Sequence, residues 1–461
     1  MTLRELLTEV SPKLLPNLDH PALDQEITGL CINSKTCQPG NVFIGMPGTR
    51  VDGGEFWPSA MEKGAIAAII SPSALKNKSA SDESVLLITT EDIPKACGDI
   101  ATAFYGYPGK TLHLVGVTGT NGKTTTTHII EHLLNTAQMP TGLLGTLYTR
   151  WPGHQETAIH TTPFPVDLQQ ELAKIVKAGC SHAIMEVSSH ALAQKRVWGC
   201  PFEVAVFTNL TQDHLDYHKD LDDYFEAKAL LFSRDYLKGR AIINSKDPYG
   251  QKLMARLSPD QMWSYHISDS GADLHATEVR YSSTGMAGTL VTPRGSAPFT
   301  SPLVGQFNLE NLLAAVGTAL HFGIPLESVI SALAEFGGVP GRMERVQTSS
   351  EQDISVIVDY AHTPDSLENA LRAARPFIAG NMICVFGCGG DRDRTKRPQM
   401  GRIAYDLADR IIVTSDNPRT EEPEQILADV VAGIEAELDD RAVVCDRAAA
   451  IQQAILSAEP G

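Results

Sequence analysis

The sequence has little positive charge for its length. Lys and Arg together number 38 against 55 Asp and Glu, so the formal net charge of the 461 residues is -17. Nucleic-acid backbones and anionic membranes repel such a surface. The charge balance therefore argues against nonspecific nucleic-acid binding and against membrane-surface binding. An anionic substrate would need a local concentration of Arg, Lys and backbone N–H groups.

Long apolar runs and closely paired cysteines are also absent. No uninterrupted apolar stretch approaches the roughly 20 residues that cross a bilayer, and the first ten residues, MTLRELLTEV, contain no apolar signal core. The eight cysteines include no CxxC pair, so we expect reduced, mostly buried thiols in a reducing compartment. These features predict a cytoplasmic protein.

The chain is long enough for several domains. At 461 residues it exceeds what one hydrophobic core supports, and we expect roughly three domains. It contains no internal repeat and no low-complexity tract. The first region, residues 1–107, ends near a linker with glycine and proline, and its strand-like apolar runs are at 42–46, 65–70 and 85–90.

Apolar strands and helical patterns alternate in the second region, residues 108–338. This alternation is typical of a mostly parallel sheet covered by helices. Residues 260–304 are richer in Thr, Ser and Gly and predict an added antiparallel portion. The strands predicted for the sheet are at 112–119, 182–187, 204–210 and 241–244.

The third region, residues 339–461, begins within the segment GGVPGRMER. Strands again alternate with helices, which indicates a smaller α/β domain of dinucleotide-fold type. No dinucleotide fingerprint accompanies it, so the fold does not imply a nicotinamide cofactor. The predicted strands are at 354–359, 382–387, 410–414 and 442–445. The whole chain is therefore predicted to be an α/β protein of three domains.

A glycine-rich loop, GVTGTNGKTT at residues 116–125, lies between a predicted strand and a predicted helix. Glycines let successive N–H groups point at phosphate oxygens, and the helix amino terminus adds its dipole. Lys123 would add a charge near the β- and γ-phosphates, and Thr124 would offer a hydroxyl to Mg²⁺. Val117 stands where the strict phosphate-loop pattern has its first glycine. Because strand and helix are both in place, we interpret the loop as a nucleotide site.

Three ionisable side chains near this region are candidate functional groups. Glu186 ends an apolar strand, where a carboxylate can hold a phosphate-bound Mg²⁺. His214 follows another strand, but a lone histidine is usually structural and Mg²⁺ prefers oxygen ligands. Lys228 falls within an apolar helix stripe, where its ammonium either reaches solvent or points into a functional cavity. The stripe consists of residues 221, 224, 225, 231 and 232.

The loop sequence TGTNGKTT at 118–125 resembles the ATP site of the Mur ligase family and of its folylpolyglutamate synthetase relatives. Further motifs of that family follow in order: HTTP at 160–163, GQFNLEN at 305–311, GRMER at 341–345 and DYAHTP at 359–364. The resemblance extends from about residue 30 to the end of the sequence. It implies a UDP-substrate-binding domain, a central ATP-binding domain and an amino-acid-binding domain, in that order.

The resemblance also implies roles for individual residues. In this family a lysine in the position of Lys228 reacts with CO₂, and the resulting carbamate holds a second Mg²⁺. The implied metal ligands are therefore Thr124, Glu186, His214 and Lys228 as its carbamate, and the implied catalytic residues are Lys123, Glu186, His214 and Lys228. The implied ATP-binding residues are Gly119, Thr120, Asn121, Gly122, Lys123, Thr124, Thr125, Asn308, Asn311, Arg342 and Asp359.

The first region looks like the UDP-binding domain of the Mur ligases that add the third residue of the cell-wall peptide. The similarity rests on INS at 32–34, PGNVF at 39–43 and DG at 52–53. The substrate of those ligases is UDP-N-acetylmuramoyl-L-alanyl-D-glutamate. The resemblance implies contacts with its UDP end from Ile32, Ser34, Thr49, Arg50 and Val51. Contacts with its muramoyl-dipeptide are implied for Thr161, Thr162, Ser188, Gln194 and Arg196.

Two segments of the third region, GGDRDR at 389–394 and DNPR at 416–419, correspond to the part of the family that reads the incoming amino acid. A guanidinium pairs bidentately with the distal carboxylate of meso-diaminopimelate, which lysine lacks. DNPR resembles the diaminopimelate-adding members. Family members continue with a Gly-Lys-Gly-His-Glu loop that these residues do not contain, so we expect a truncated third domain. The implied amino-acid-binding residues are Arg392, Asp416, Asn417, Pro418 and Arg419.

The function implied is ATP-dependent ligation of meso-2,6-diaminopimelate to the UDP-linked dipeptide through an acyl phosphate, with release of ADP and phosphate, in peptidoglycan precursor synthesis. The implied cofactors are ATP, Mg²⁺ and a CO₂-derived carbamate on Lys228. We expect a monomer without nucleic-acid or membrane partners. Two alternatives stay open: a lysine-adding ligase of the same family, and a nucleotide-binding regulator without ligase activity.

Overall fold

A computed structural model describes residues 1–11, 14, 20–48, 51–76, 85–349, 351–434 and 442–460 of the chain. The α-helices are α1 (Leu3–Val10), α2 (Trp57–Glu62), α3 (Pro72–Lys76), α4 (Ile93–Phe104), α5 (Pro108–Thr111), α6 (Lys123–Thr136), α7 (Pro165–Lys177), α8 (Ser189–Ala193), α9 (Leu221–Ala229), α10 (Pro248–Met254), α11 (Gln306–His321), α12 (Leu326–Ala334), α13 (Pro364–Ala374), α14 (Lys396–Leu407), α15 (Pro423–Val431) and α16 (Arg447–Leu456). Short 3₁₀ turns cover Pro21–Asp24, Gly53–Phe56, Leu230–Phe232, Pro259–Gln261 and Arg375–Phe377.

The β-strands group into parallel and antiparallel sheets. They are β1 (Gly29–Cys31), β2 (Asn41–Ile44), β3 (Ala67–Ile70), β4 (Leu86–Thr89), β5 (His113–Thr118), β6 (Thr141–Leu144), β7 (Tyr148–Trp151), β8 (His154–Thr157), β9 (His182–Glu186), β10 (Phe202–Phe207), β11 (Leu237–Asn244), β12 (Met262–Tyr265), β13 (His275–Ser282), β14 (Gly285–Thr292), β15 (Gly295–Ser301), β16 (Glu344–Val346), β17 (Val356–Val358), β18 (Ile383–Phe386) and β19 (Arg410–Val413).

The chain divides into two compact units. The first contains residues 1–116, 139–204 and 230–239, and the second contains residues 117–138, 205–229 and 240–461. Within the part of the chain that the structure describes, no helix combines the length and the apolar character needed to cross a membrane.

A four-stranded sheet in the order β1-β2-β3-β4 builds the amino-terminal part of the first unit. All three strand pairs are parallel. The sequences NVFI of β2 and AAII of β3 are buried throughout, as expected for strands covered on both faces. One face packs with α1 and α4 in a core that includes Val42, Ile44 and Ile69. The opposite face packs with Trp57 through Phe43 and Ile70.

The largest sheet has eight strands in the order β12-β11-β10-β5-β9-β6-β7-β8. β6 pairs parallel with β9 and β11 pairs parallel with β12, whereas the β6-β7-β8 edge is antiparallel. The strands predicted at 112–119, 182–187, 204–210 and 241–244 correspond to β5, β9, β10 and β11. The predicted α/β class is confirmed.

The helices around the phosphate loop follow the apolar spacing of the sequence. α6 buries Ile129, Ile130, Leu133 and Leu134, which recur at helical spacing, and packs against α11. α9 and the following 3₁₀ turn bury residues 224, 225, 231 and 232 of the predicted stripe, and residue 221 is half-buried. Lys228 lies within this stripe and its side chain is only 1% exposed. The alternative in which its ammonium reaches solvent is therefore excluded.

The predicted antiparallel portion at 260–304 is confirmed with one correction. β13, β14 and β15 form a three-stranded antiparallel sheet. β12, which lies at the start of this segment, instead extends the large sheet by parallel pairing with β11. The Thr-, Ser- and Gly-rich composition therefore does not mark the boundary between the two sheets.

The strand predicted at 442–445 is shortened to one parallel bridge, between Val443 and Val413 of β19. The Val413 N–H donates to the Ala442 carbonyl at 2.8 Å and the Val444 N–H donates to the Val413 carbonyl at 3.0 Å, so the segment lies beside β19 but pairs with it only briefly. Asp446 then caps α16 by accepting a hydrogen bond from the Ala449 N–H. The strand predicted at 354–359 is shortened to β17, which pairs antiparallel with β16. β18 and β19 pair parallel as expected of a dinucleotide-type domain.

The expectation of eight reduced thiols is wrong for one pair. Cys31 and Cys37 form a disulfide with a Cα–Cα distance of 5.7 Å. Cys31 ends β1, and the turn through residues 32–36 brings both side chains into the small core around Phe43 and Trp57. The other six cysteines are free, and five of these are buried.

An ion cluster joins α14 to α15. The Arg397 side chain, on α14, is 0% exposed. It donates to both carboxylate oxygens of Glu421, at 3.0 and 2.8 Å, and to Asp429 on α15 at 2.7 Å. The hydrogen bonds from Arg397 lower the pKa of Glu421 to about 2. The cation therefore compensates two carboxylates held close together.

We expect Arg397→Ala to lower the free energy of unfolding by about 3–5 kcal/mol, because it removes the buried cation that Glu421 and Asp429 share and leaves Glu421 to its exposed partner Arg394. Urea unfolding followed by circular dichroism measures the loss. Arg402→Ala is the matched control on the same helix: its exposed i,i+4 pair with Asp406 should contribute less than about 0.5 kcal/mol. Equal stability of the two variants would contradict this account.

Candidate functional site

The phosphate loop joins β5 to α6 and passes directly over the end of β10. β5 ends at Thr118, and Gly122, with φ 85°, immediately precedes α6. A Cβ atom on Gly119 would lie 1.9 Å from Oγ1 of Thr208, the residue that follows β10. A side chain at position 119 is therefore excluded in this loop path.

Residues that follow β10 hold the loop backbone in place. The N–H groups of Thr120 and Asn121 donate to the carbonyl and Oδ1 of Asn209, both at 2.9 Å. Thr208 Oγ1 donates to the Asn121 carbonyl at 2.6 Å, and the Thr211 N–H donates to Thr120 Oγ1 at 3.0 Å. Residues 208–211 were not predicted as functional. The strand predicted at 204–210 included Thr208 and Asn209, whereas β10 ends at Phe207 and leaves both side chains in the loop.

Two lysine side chains meet at one carbonyl of the loop. Lys123 Nζ donates to the Gly119 and Thr120 carbonyls, both at 2.9 Å. Lys228 Nζ donates to the same Gly119 carbonyl at 2.8 Å and lies 4.4 Å from the centre of the Tyr224 ring. Burial, together with the charge of Lys123, holds the pKa of Lys228 well below its usual range. The neutral form of this amine is therefore favoured relative to that of an exposed lysine.

Arg342 brings its guanidinium to the first turn of α6. Its Nη2 donates to Thr124 Oγ1 at 3.0 Å, and the guanidinium lies 4.6 Å from the centre of the Tyr360 ring. Asp359 accepts from the N–H of Met343 at 2.8 Å, which fixes the backbone next to Arg342. Burial raises the pKa of Asp359. The predicted residues Thr124, Arg342 and Asp359 are therefore brought together.

The two predicted asparagines lie on α11 and face α6. Asn311 Nδ2 donates to Asn308 Oδ1 at 3.1 Å, and Asn311 Oδ1 accepts from Thr126 Oγ1 at 3.3 Å. Thr125, beside Thr126, is buried in the first turn of α6. This polar chain ties the helix that follows the phosphate loop to α11.

Asp213 is the centre of a charged cluster that was not predicted. Its carboxylate lies 3.3 Å from His214 Nε2, 3.6 Å from His362 Nε2 and 3.6 Å from Lys396 Nζ. Burial favours the neutral acid, but the interactions with His362, His214 and Lys396 hold the pKa of Asp213 well below its usual range. His214 itself has φ 57°, so this turn is constrained. The segment TQDHLDYH at 211–218 contains Asp213 beside His214, but only His214 was predicted as functional.

Two amide side chains connect the loop region to the carboxyl-terminal residues of the same unit. Asn121 Nδ2 donates to Asp365 Oδ2 at 2.8 Å, at the start of α13. Gln212 Nε2 donates to Asp393 at 3.1 Å and to Thr395 at 2.9 Å. Residues 341–461 therefore complete the surroundings of the phosphate loop.

Glu186 ends β9 in the first unit and is completely buried. Its Oε1 accepts from the Thr146 N–H at 2.8 Å, and its Oε2 accepts from Thr146 Oγ1 at 3.0 Å. Thr146 Oγ1 lies 3.1 Å from Thr161 Oγ1. Thr146, which was not predicted, therefore orients a predicted metal ligand and contacts a predicted substrate ligand.

The residues predicted to hold the muramoyl-dipeptide are brought together around Thr162. Its hydroxyl donates to the Glu186 carbonyl at 2.8 Å and accepts from the Ser188 N–H at 3.1 Å. Arg196 donates to the Thr162 carbonyl at 3.0 Å and to Gln194 Oε1 at 2.9 Å. Ser188 Oγ also caps α8. Five polar side chains from three chain segments thus form one patch in the first unit.

The residues predicted to contact the UDP end lie on two loops of the first unit. Ile32 and Ser34 lie in the turn that the Cys31–Cys37 disulfide closes. Val51 is exposed, next to Asp52, whose carboxylate accepts from the Gly54 N–H at 2.8 Å. The predicted residues Thr49 and Arg50 lie outside the described residues.

The residues predicted to bind the amino acid lie on two loops that touch through their backbones. The Gly390 N–H donates to the Asn417 carbonyl at 2.9 Å, and Arg419 Nη1 donates to the Gly390 carbonyl at 2.6 Å. A Cβ atom on Gly390 would lie 1.9 Å from the Pro418 carbonyl oxygen. Arg392 and Arg419 are both exposed, and the backbone of Arg419 is left-handed with φ 52°. The carboxylate of Asp416 lies 4.0 Å from the guanidinium of Arg447.

Two of the predicted metal ligands carry the oxygen donors that Mg²⁺ prefers, and a third would do so only after modification. Among the described residues, no group of three or more His, Cys, Asp and Glu side chains is arranged to hold a metal ion. The predicted ligand set differs from such a group, because it includes the hydroxyl of Thr124 and the carbamate of Lys228. Thr124 and Glu186 carry oxygen donors, which Mg²⁺ prefers. Lys228 fits as a ligand only if its amine is converted into a carboxylate-like group.

Three family sequence profiles match successive parts of the chain. Residues 26–105 match the profile described as Mur ligase family, catalytic domain. Residues 117–319 match the Mur ligase middle domain, and residues 341–461 match the Mur ligase, glutamate ligase domain.

Curated relatives match the whole chain. A UDP-N-acetylmuramoyl-L-alanyl-D-glutamate–2,6-diaminopimelate ligase from Trichormus variabilis is 64% identical over 461 residues, which are 100% of this chain and 92% of the relative. The protein of the same name from Gloeobacter violaceus is 56% identical over 463 residues, 100% of this chain and 91% of the relative.

Solved structures agree with the sequence relatives. The structure of a UDP-N-acetylmuramoyl-L-alanyl-D-glutamate–2,6-diaminopimelate ligase is similar with a TM-score of 0.70 and 32% identity, over 100% of this chain and 92% of that chain. MurF from Acinetobacter baumannii, at 21% identity and a TM-score of 0.69, covers 99% of this chain and 92% of its own and shares the fold. With three matching profiles and relatives of this identity over its whole length, the chain belongs to the Mur ligase family.

Proposed function

We propose that this protein is an ADP-forming ligase that adds meso-2,6-diaminopimelate to UDP-N-acetylmuramoyl-L-alanyl-D-glutamate. The observation that carries the proposal is the phosphate loop with Lys123 at the start of α6 and Arg342 against Thr124. The name shared by relatives that are 56–64% identical supports the choice of substrates. The reaction supplies a peptidoglycan precursor, and the proposed location is the cytoplasm.

ATP is the proposed phosphoryl donor. Its γ-phosphoryl group would pass to the D-glutamate side-chain carboxylate, forming an acyl phosphate and ADP. The amine of diaminopimelate then attacks the acyl carbon, loses a proton, and phosphate leaves. Lys123, Arg342 and the N–H groups of the loop stabilise the charge on the transferred group. The proposed ATP-binding residues are Gly119, Thr120, Asn121, Gly122, Lys123, Thr124, Thr125, Asn308, Asn311, Arg342 and Asp359.

We further propose that Lys228 carries a carbamate. A neutral lysine amine adds to CO₂, forming an N–C bond and releasing a proton to solvent. The lowered pKa of Lys228 supports this chemistry, because only the neutral amine has the free electron pair that the addition needs. Mg²⁺, when bound, supplies positive charge against the phosphate oxygens. The proposed metal ligands of the second unit are Thr124, His214 and carbamylated Lys228, and Glu186 is a proposed metal ligand of the first unit.

The two remaining substrates are proposed to bind through separate residue sets. The patch at Thr161, Thr162, Ser188, Gln194 and Arg196 carries hydroxyl, amide and guanidinium groups suited to a carboxylate-bearing peptide. Ile32, Ser34, Thr49, Arg50 and Val51 are proposed to contact UDP, and Arg392 with residues 416–419 the amino acid. The proposed domain boundaries are 1–107, 108–338 and 339–461, and the proposed active form is a monomer.

Lys123→Ala should reduce phosphate release by at least about 10²-fold, because it removes a charge from the transferring phosphoryl group. Binding of the UDP-linked dipeptide should be nearly unchanged, since its proposed residues lie in the first unit. Lys246→Ala is the matched control: it removes an exposed lysine of the second unit that pairs with Glu310, and should keep full activity. A Lys123→Ala protein with more than a few per cent of wild-type turnover would refute the loop assignment.

Lys228→Ala should be nearly inactive and should partly recover in acetate or formate, because a small carboxylate can enter the space left by the side chain. Lys228→Met fills that space and should not recover. Turnover of both variants is measured with and without the added acid, and ¹³C-bicarbonate labelling of the wild type is followed by NMR. The carbamate proposal fails if the active wild type shows no carbamate carbon, or if both variants respond equally to acetate.

Arg419→Ala should raise the KM for meso-diaminopimelate by about tenfold or more, the loss expected for a charge-assisted hydrogen bond to a carboxylate. Because Arg419 is exposed, we expect the rise in this KM to be close to tenfold and not much larger. KM values for ATP and for the UDP-linked dipeptide should stay within twofold. Arg402→Ala, which removes another exposed arginine of the second unit, is the control. Efficient use of lysine by the wild type would favour the lysine-adding alternative instead.

Phosphate release that depends on both the UDP-linked dipeptide and an amino acid tests the ligase proposal itself. A protein that binds ATP but shows no such dependence would instead be a nucleotide-binding regulator.

A further inference from the structure

Lys195 occupies a backbone position that normally favours glycine. It follows α8, and its φ of 51° is in the left-handed region. The Lys195 N–H bonds to the Leu192 carbonyl at 3.0 Å, and the Arg196 N–H bonds to the Ala191 carbonyl at 2.7 Å. These two bonds form a Schellman motif with lysine at the residue where glycine is preferred. A side chain at such a position is disfavoured by the backbone, so its contacts indicate why it is there.

The Lys195 side chain extends to the beginning of α4. Its ammonium pairs with Asp92, whose carboxylate also caps α4 by accepting from the Lys95 N–H at 3.1 Å. Trp198 completes the contact, since its Nε1 donates to Asp99 of α4 at 2.8 Å. We term residues 195–198 the α4 anchor. They contact α4 at its amino-terminal cap, through Asp92, and about two turns further along the helix, through Asp99.

α4 is packed against the sheet that carries the proposed UDP loop. Ile93, Cys97 and Ile100 of α4 share one core with Leu30 of β1 and Val42 of β2. Ile32 and Ser34 directly follow β1. Asp92 thus belongs to the helix beside the proposed UDP loop, whereas its partner Lys195 lies between Gln194 and Arg196 of the proposed dipeptide patch. The α4 anchor therefore connects the two proposed ends of the UDP-substrate site within the first unit.

We propose that Lys195 and Asp92 are positioning residues that hold the uridine end and the peptide end of this site at a fixed spacing. This inference rests on the proposed function. A substrate that engages two ends gains affinity from the second end only if the spacing matches its length. A loosened α4 anchor should therefore weaken binding of the whole UDP-linked dipeptide and leave binding of UDP alone unchanged.

Lys195→Gly is the informative variant, because glycine suits the left-handed backbone and only the side-chain contact is lost. Asp92→Asn removes the same ion pair while asparagine preserves the cap of α4. Calorimetric titration with the UDP-linked dipeptide should give dissociation constants raised at least about fivefold for each variant, with no further loss in the double variant. Titration with UDP, the KM for ATP and kcat at saturating substrate should stay within twofold.

Gln138→Gly is the matched control, since Gln138 is an exposed left-handed residue after α6 and has no proposed role. It should leave both titrations unchanged. Equal affinity of wild type and Lys195→Gly for the UDP-linked dipeptide would overturn the inference, and so would a parallel weakening of UDP, which indicates a general loss of structure. A wild type that binds neither ligand would overturn the proposed function instead.

Discussion

The carbonyl oxygen of Gly119 accepts hydrogen bonds from both Lys123 and Lys228, and this contact joins the phosphate loop to α9. Two ammonium groups at one oxygen repel each other strongly where water is excluded. The protein resolves this conflict through the pKa of Lys228, which burial and the charge of Lys123 lower together. In the proposed mechanism Lys123 is the cation that faces phosphate and Lys228 is the amine that reacts with CO₂, and this contact favours that division of roles.

The carboxyl-terminal region supplies most of the charged groups that surround this loop. Arg342 reaches Thr124, Asp365 reaches Asn121, and His362 with Lys396 lies against Asp213. Each of these groups is held by a buried or half-buried partner, so their positions are set before a ligand arrives. In the proposed acyl-phosphate mechanism the protein does little covalent chemistry of its own, so such fixed charges and the alignment of reactants would supply most of the rate enhancement.

The sequence was sufficient for features that depend on local patterns. The apolar runs of the main strands and the helix after the phosphate loop follow from spacing alone, whereas spacing left open whether Lys228 is buried or reaches solvent. Features that depend on distant partners were missed. Asp213 gains its role from His362 and Lys396, about 150 residues away or more, and Thr146 gains its role from Glu186. The Cys31–Cys37 pair was missed because the turn between them, rather than a CxxC spacing, brings the sulfurs together.

The close backbone contact between Gly390 and Pro418 limits how the proposed amino-acid pocket could change during evolution. Since even a methyl group at position 390 would overlap the Pro418 carbonyl oxygen, any substitution of Gly390 would force the two loops apart. A change of substrate would have to come from replacing side chains such as Arg419 on an unchanged pair of loops. Single-residue substitutions could therefore alter selectivity without a new backbone, whereas insertions in either loop would disrupt both at once.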